Sequence, residues 1–313
     1  MLRVPGHGHC IFVVMKSSRS LLPVLLISSL LLTMGSCKKE ESAAPTDQVD
    51  AGPRLILKFA FDSTQVRLNA FGQPSTVPVG HGAQCPKFNS MSAHYVEFAP
   101  TATTLLGAGD VVYHAPETTL GGTTAIDHDL SITVGDSGEF LNIPLSELSA
   151  GTYQWLRVSL AYQNYDVKFS AFNLPFSGTI ASFIGYNTYI SSYLVLDSTV
   201  TVNANKLQGY WAFEVNDPPV PTPVTTGQAP GTTVVNPLFA TSPIPAGSCV
   251  VTGSFPVPLT LTGNETEDVV IMVSLSTNKS FEWLETDGDN VFEPIDGETV
   301  VDMGIRGMLP TVQ

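Results

Sequence analysis

After residue 36 no long stretch of the sequence keeps an apolar repeat of 3.6 residues, so a fold built on packed amphipathic helices is excluded. Apolar and β-branched residues recur instead in short runs closed by Gly, Pro, Asn or Asp. The runs are Leu55–Phe61, His94–Phe98, Val111–His114, Leu130–Val134, Tyr153–Tyr162, Thr179–Ile184, Tyr189–Leu196, Thr199–Val202, Tyr210–Val215, Val250–Phe255 and Asp268–Leu275. Side chains alternate across a strand, so Leu55, Leu57, Phe59 and Phe61 share one face, and Trp155, Arg157, Ser159 and Ala161 share another. Many short strands with frequent turn residues predict an all-β chain, an antiparallel β-sandwich of the immunoglobulin or jelly-roll kind.

Residues 217–247 hold eight prolines. Proline fixes φ and removes an amide donor, so this stretch reads as an extended loop or linker and not as sheet core. It either separates two domains or is one long excursion from a single sandwich spanning 54–313. The single sandwich is the expected arrangement, because a cysteine lies on each side of the stretch.

The segment from Met15 reads MKSSRSLLPVLLISSLLLTMGSC. Lys16 and Arg19 are followed by the apolar run Leu21–Leu32, too short to span a bilayer, which takes about 20 residues. Charge, apolar run and small residues follow in the order of an export signal, with Met15 as the expected start and residues 1–36 removed. Its ending, Met34-Gly35-Ser36-Cys37, resembles the lipobox of bacterial lipoproteins. The resemblance implies that Cys37 is lipidated, that the acyl chains make the membrane its partner, and that the protein sits in the cell envelope on the outer membrane. Residues 37–53 are polar and without period, a flexible tether. Lys38-Lys39-Glu40-Glu41 resembles the surface-export signal of Bacteroidetes lipoproteins; a plain solvated spacer is the equal alternative.

Three of the 14 basic residues and none of the 28 acidic ones precede Cys37, so the 277 residues from Cys37 onward carry a formal charge of −17. Nucleic acid is not expected as a partner of so acidic a chain. Cys85 and Cys249 are the two remaining cysteines, and in an exported protein such a pair is expected to bond. The bridge would close a long loop and contribute about 4 kcal/mol by restricting the unfolded chain. Two buried free thiols are the alternative.

Gly135-Asp136-Ser137-Gly138 copies the nucleophile loop of trypsin-like proteases, yet only 43 residues separate His94 from Ser137, and the residues after the loop do not match. A hairpin turn between Ile132–Val134 and Phe140–Ile143 is the expected role. With no other nucleophile–base pair or metal-hydrolase spacing, an enzyme is not expected. The four histidines after Cys37 are His81, His94, His114 and His128, all within 48 residues, with none in the following 185. Neutral imidazole is a common copper or zinc ligand, so these four are the candidate metal ligands.

LILKFAFD (55–62), FNSMSAHYVEFAP (88–100), YHAPET (113–118) and FLNIPLSELSAGTYQWLRVSLAY (140–162) follow one another in the order seen in the MbnP-like family, and the resemblance covers 55–169. It implies an exported β-sandwich associated with copper, with a di-haem peroxidase as partner. His94 and His114 lie in the matching segments. The chain departs from the family where relatives carry a histidine after the first strand.

Near the C-terminus, Glu285-Thr286-Asp287-Gly288-Asp289-Asn290-Val291-Phe292-Glu293 concentrates oxygen donors. An acidic turn is one reading, and a structural calcium near Asp287, Asp289 and Glu293 is the other. Arg306 is placed to pair with a carboxylate such as Asp302. Trp155, Trp211 and Trp283 are core residues or a stacking platform for glycans. The expectation is a non-catalytic, membrane-anchored, copper-associated binding protein, with a surface module for glycans or a partner protein as the alternative.

Overall fold

In the computed structural model of the protein the described residues are 52–69, 73–216, 218, 222–229, 243–245 and 247–313. The signal segment, Cys37 and nearly all of the tether lie outside the described residues, as does much of the proline-rich stretch.

Strand β1 (Arg54–Asp62) follows the alternation of its sequence: Leu55, Leu57 and Phe59 are fully buried and the residues between them are partly exposed. It lies between β8 (Gly138–Pro144) and β16 (Val269–Ser276), with β19 (Met308–Val312) beyond β16, in a four-stranded sheet. The β1–β16 pair is parallel, Leu55 opposite Val269 through Asp62 opposite Ser276, so the sandwich is not wholly antiparallel. Parallel neighbours need a long crossover, and here nearly the whole domain lies between the two strands.

The second sheet has eight strands built around β9 (Gly151–Ala171). One edge of β9 is shared end to end: β10 (Leu174–Phe183) pairs from Ala171 back to Tyr162, and β15 (Cys249–Leu261) takes over from Leu160 to Gly151. The other edge pairs with β3 (Lys87–Ala99), which also carries β4 (Asp110–His114) and β7 (Thr133–Val134). Beyond β10 lie β13 (Tyr210–Asn216) and β14 (Thr225–Gln228). Thus β13 and β15, on either side of the proline-rich stretch, join one sheet. The stretch also supplies β14, a four-residue edge strand free of proline, so it is not all loop.

Two small sheets complete the fold. One runs β12 (Thr199–Leu207), β11 (Asn187–Leu194), β6 (Ala125–Asp127) and β5 (Glu117–Thr118), with β6 and β11 parallel. The other runs β18 (Val300–Met303), β17 (Phe281–Leu284) and β2 (His81–Gln84). The main core joins Leu55, Leu57, Phe59, Ile271 and Val273 to Leu156, Val158 and Leu160. A second, smaller core packs Ile190 and Tyr193 with Phe183, Tyr210 and Ala212. No α-helix occurs among the described residues, and none of their helices is long and apolar enough to cross a membrane.

Two local readings change. The run Leu130–Val134 is not one strand: Asp127 accepts the Asp129 N–H and starts a 3-10 turn, His128–Leu130, leaving only Thr133–Val134 extended. The Gly135–Gly138 turn links β7 to β8 across two sheets, tied by Gly138 N–H to the Gly135 carbonyl.

Candidate functional site

β3 and β4 are antiparallel neighbours, with Tyr95 opposite His114, and this register sets two imidazoles side by side. The rings of His94 and His114 are 6.4 Å apart, edge to face. Tyr186 flanks His94 at 5.5 Å and donates its hydroxyl to Glu117 at 2.7 Å. On the other side the Ser248 hydroxyl is 3.4 Å from Nε2 of His94. His94 is 1 % exposed. Burial, and then the charge of His114, push its pKa down to about 3, against the opposing effect of the Leu160 carbonyl. His94 is therefore neutral near pH 7, the form in which imidazole binds metals. His114 is exposed and its Nδ1 lies 3.2 Å from the Ala115 carbonyl. Donation from Nδ1 leaves the Nε2 lone pair of His114 open to a ligand.

The other two histidines lie elsewhere: His81 is on a strand of another sheet, and His128 opens the 3-10 turn that follows β6. His81, on β2, is 3.3 Å from Glu282 on β17. His128 packs its ring 5.1 Å from Tyr162 and 5.0 Å from Phe183, beside a shallow groove of about 320 Å³ that Asn164 and Tyr193 also line. Burial lowers its pKa, opposed by Asp129 and Asp127. Closeness in sequence did not make a four-histidine site.

Sequence reading missed most of the charge cluster around Glu282. That buried carboxylate accepts a hydrogen bond from Arg67 and another from Arg306 at 3.1 Å; Arg306 also reaches Asp302 at 2.7 Å, the partner expected for it. Burial alone would raise the pKa of Glu282. The Arg67 hydrogen bond, the Arg306 charge and the His81 contact outweigh it and hold the group below the usual carboxylate range. Alternating strand patterns give no signal for such a cluster, since its members come from three distant segments.

Cys85 and Cys249 are not bonded: both are free thiols, which corrects the expected bridge. Cys85 is exposed, and its sulfur accepts the Lys279 N–H at 3.2 Å. Cys249 lies opposite Leu160 in the β9–β15 ladder, where burial pushes its thiol up to about 11.

The acidic loop gathers a different triad from the one expected. Glu285, Asp287 and Asp289 each bring a carboxylate oxygen within 4.8 Å of the others, a grouping that can hold a hard cation. Glu293 belongs to another turn, where its N–H is bound by Glu298 at 2.7 Å. Positive φ at Gly288 and Asn290 bends the loop so that Glu285, and not Glu293, meets the aspartates.

No protein-family model, no curated protein and no solved structure matches this chain.

The remaining candidates take structural places. Ser137 is exposed on its turn and Asp136 accepts the Phe61 N–H at 2.8 Å. Trp283 is buried in the main core, Trp211 covers Gly227 of β14, and Trp155 is half-buried on β9.

Proposed function

We propose that this chain is an exported lipoprotein, anchored through Cys37 to the outer membrane, that binds its ligand without transforming it, and that His94 and His114 take a copper ion. The observation that carries the metal reading is the paired imidazoles, one buried and neutral, the other open to solvent. Nitrogen donors of this kind suit copper better than the oxygen-rich loop at Glu285, which suits calcium. The two imidazoles supply two ligands, and the Ser248 hydroxyl sets an oxygen 3.4 Å from Nε2 of His94. The resemblance to the MbnP-like family over 55–169 supports the same reading, with a di-haem peroxidase as the partner it implies.

The metal reading is tested on purified protein by copper titration. Wild type should take one copper per chain. His114→Ala, which changes an exposed side chain and opens no core cavity, should weaken uptake at least tenfold while leaving the melting temperature unchanged. Equal uptake by the variant, or no stoichiometric copper in wild type, sinks the assignment. The anchor is tested separately. Cys37→Ser should release the protein from membranes without lipid label, and label persisting on that variant would refute lipidation.

A further inference from the structure

The β9–β10 hairpin closes with two residues, Phe172 and Asn173, both at positive φ, 54° and 58°. A two-residue hairpin turn of this hand favours Gly or Asn at both positions, because a Cβ is disfavoured there. Phe172 breaks that preference and gains no burial in return: it is 80 % exposed, and Leu174 beside it is 58 % exposed. The same end carries exposed Val291 and Ile295, since the Ser170 N–H donates to the Phe292 carbonyl and the end of β9 packs on the Pro294–Asp296 turn. In the segment that carries Val291 and Ile295, Asp287, Asp289 and Asp296 are also exposed, and Lys168 is exposed on β9 four residues before Phe172. The tip lies at the other end of β9 from Pro53, near the start of the described residues. Pro53 binds the Leu145 N–H, and Leu145 leads into Gly151 at the start of β9, about 65 Å of strand path before Phe172.

We propose that this tip is a docking surface for a partner protein with a basic surface that carries an apolar pocket for Phe172 and Leu174. The acidic rim selects that occupant. A second copy would oppose its own carboxylates, and an anionic bilayer would repel them. Rim charge steers the encounter and the two apolar side chains anchor it. The inference does not depend on the metal reading.

The test uses the full chain in EDTA with a labelled 18-residue peptide made only of lysine and leucine. Wild type should bind it with an affinity that falls as salt rises. Phe172→Gly with Leu174→Thr should weaken binding at least tenfold with the melting temperature unchanged or raised, since glycine suits the turn. Asp287→Asn with Asp289→Asn should weaken it too. Equal binding by the tip variant overturns the proposal, as does equal binding of a glutamate–leucine peptide. A wild-type dimer dissolved by the tip variant, or Phe172-dependent flotation with phosphatidylcholine vesicles, would assign the surface to a second copy or to lipid and overturn it as well.

Discussion

Replacing Arg157 with Met should destabilise the protein by about 3–5 kcal/mol, a large part of the stability of an ordinary domain. Arg157 and Glu97 are both fully buried, with Nη1 3.8 Å from the carboxylate, too long for a hydrogen bond and close enough for a strong charge interaction at low dielectric. Glu97 holds the 100–109 loop: its carboxylate accepts the N–H groups of Gly107 at 3.1 Å and Gly109 at 2.7 Å, and the Tyr95 hydroxyl at 3.1 Å. Without Arg157 that carboxylate is a buried charge with no cation. A double variant, Arg157→Met with Glu97→Gln, removes both charges and keeps an acceptor for the glycines, so it should regain most of the loss. Urea unfolding of the three proteins measures this. A loss below about 1 kcal/mol in the single variant would show that the pair adds little.

Acidification should destabilise the protein before its carboxylates begin to titrate. In the folded chain His94 has a pKa of about 3, against 6.5 for an ordinary histidine. The unfolded chain therefore binds one proton more as pH falls below 6.5, and stability is lost at about 1.4 kcal/mol per pH unit until the folded pKa is reached. Between pH 6.5 and 4.5 His94 alone should remove about 2–3 kcal/mol. His128, also lowered, acts in the same direction. Glu298, raised by burial and by Glu285, acts in the opposite one, since it gains stability on protonation. Below pH 4.5 Glu282 joins the loss, because its folded pKa is depressed. His94→Gln should flatten the profile between pH 6.5 and 4.5 by the slope of one proton. An unchanged slope would mean that His94 is not buried as a neutral ring.

The strand pattern was legible wherever one face of a strand is covered and the other is open, as at Leu55, Leu57 and Phe59. It failed in β9, whose residues 156–165 are all buried. With both faces covered there is no alternation to read. The expected run Tyr153–Tyr162 therefore stopped nine residues before the strand does. The Leu130–Val134 error has another cause: a single Asp127 side chain, accepting the Asp129 N–H two residues on, outweighed the apolar run that follows it.

The site was half legible. Histidine clustering along the chain pointed to His94 and His114, which meet because β3 and β4 are neighbours in one sheet. The same clustering also included His81, whose strand pairs with β17, and His128, which sits in a 3-10 turn. Phe172 left no signal at all, since an aromatic in a β-rich sequence reads as core until the turn that exposes it is known.

Composition, period and turn residues by themselves determined that this chain folds as a β-sandwich, because those signals act over a few residues and reflect which face of each strand meets water. Tertiary structure alone decided which side chains became neighbours. Strand pairing joins positions as distant as Leu55 and Val269, it left Cys85 and Cys249 unbonded, and it selected two histidines of four. Those outcomes depend on register and crossover, which no local pattern encodes.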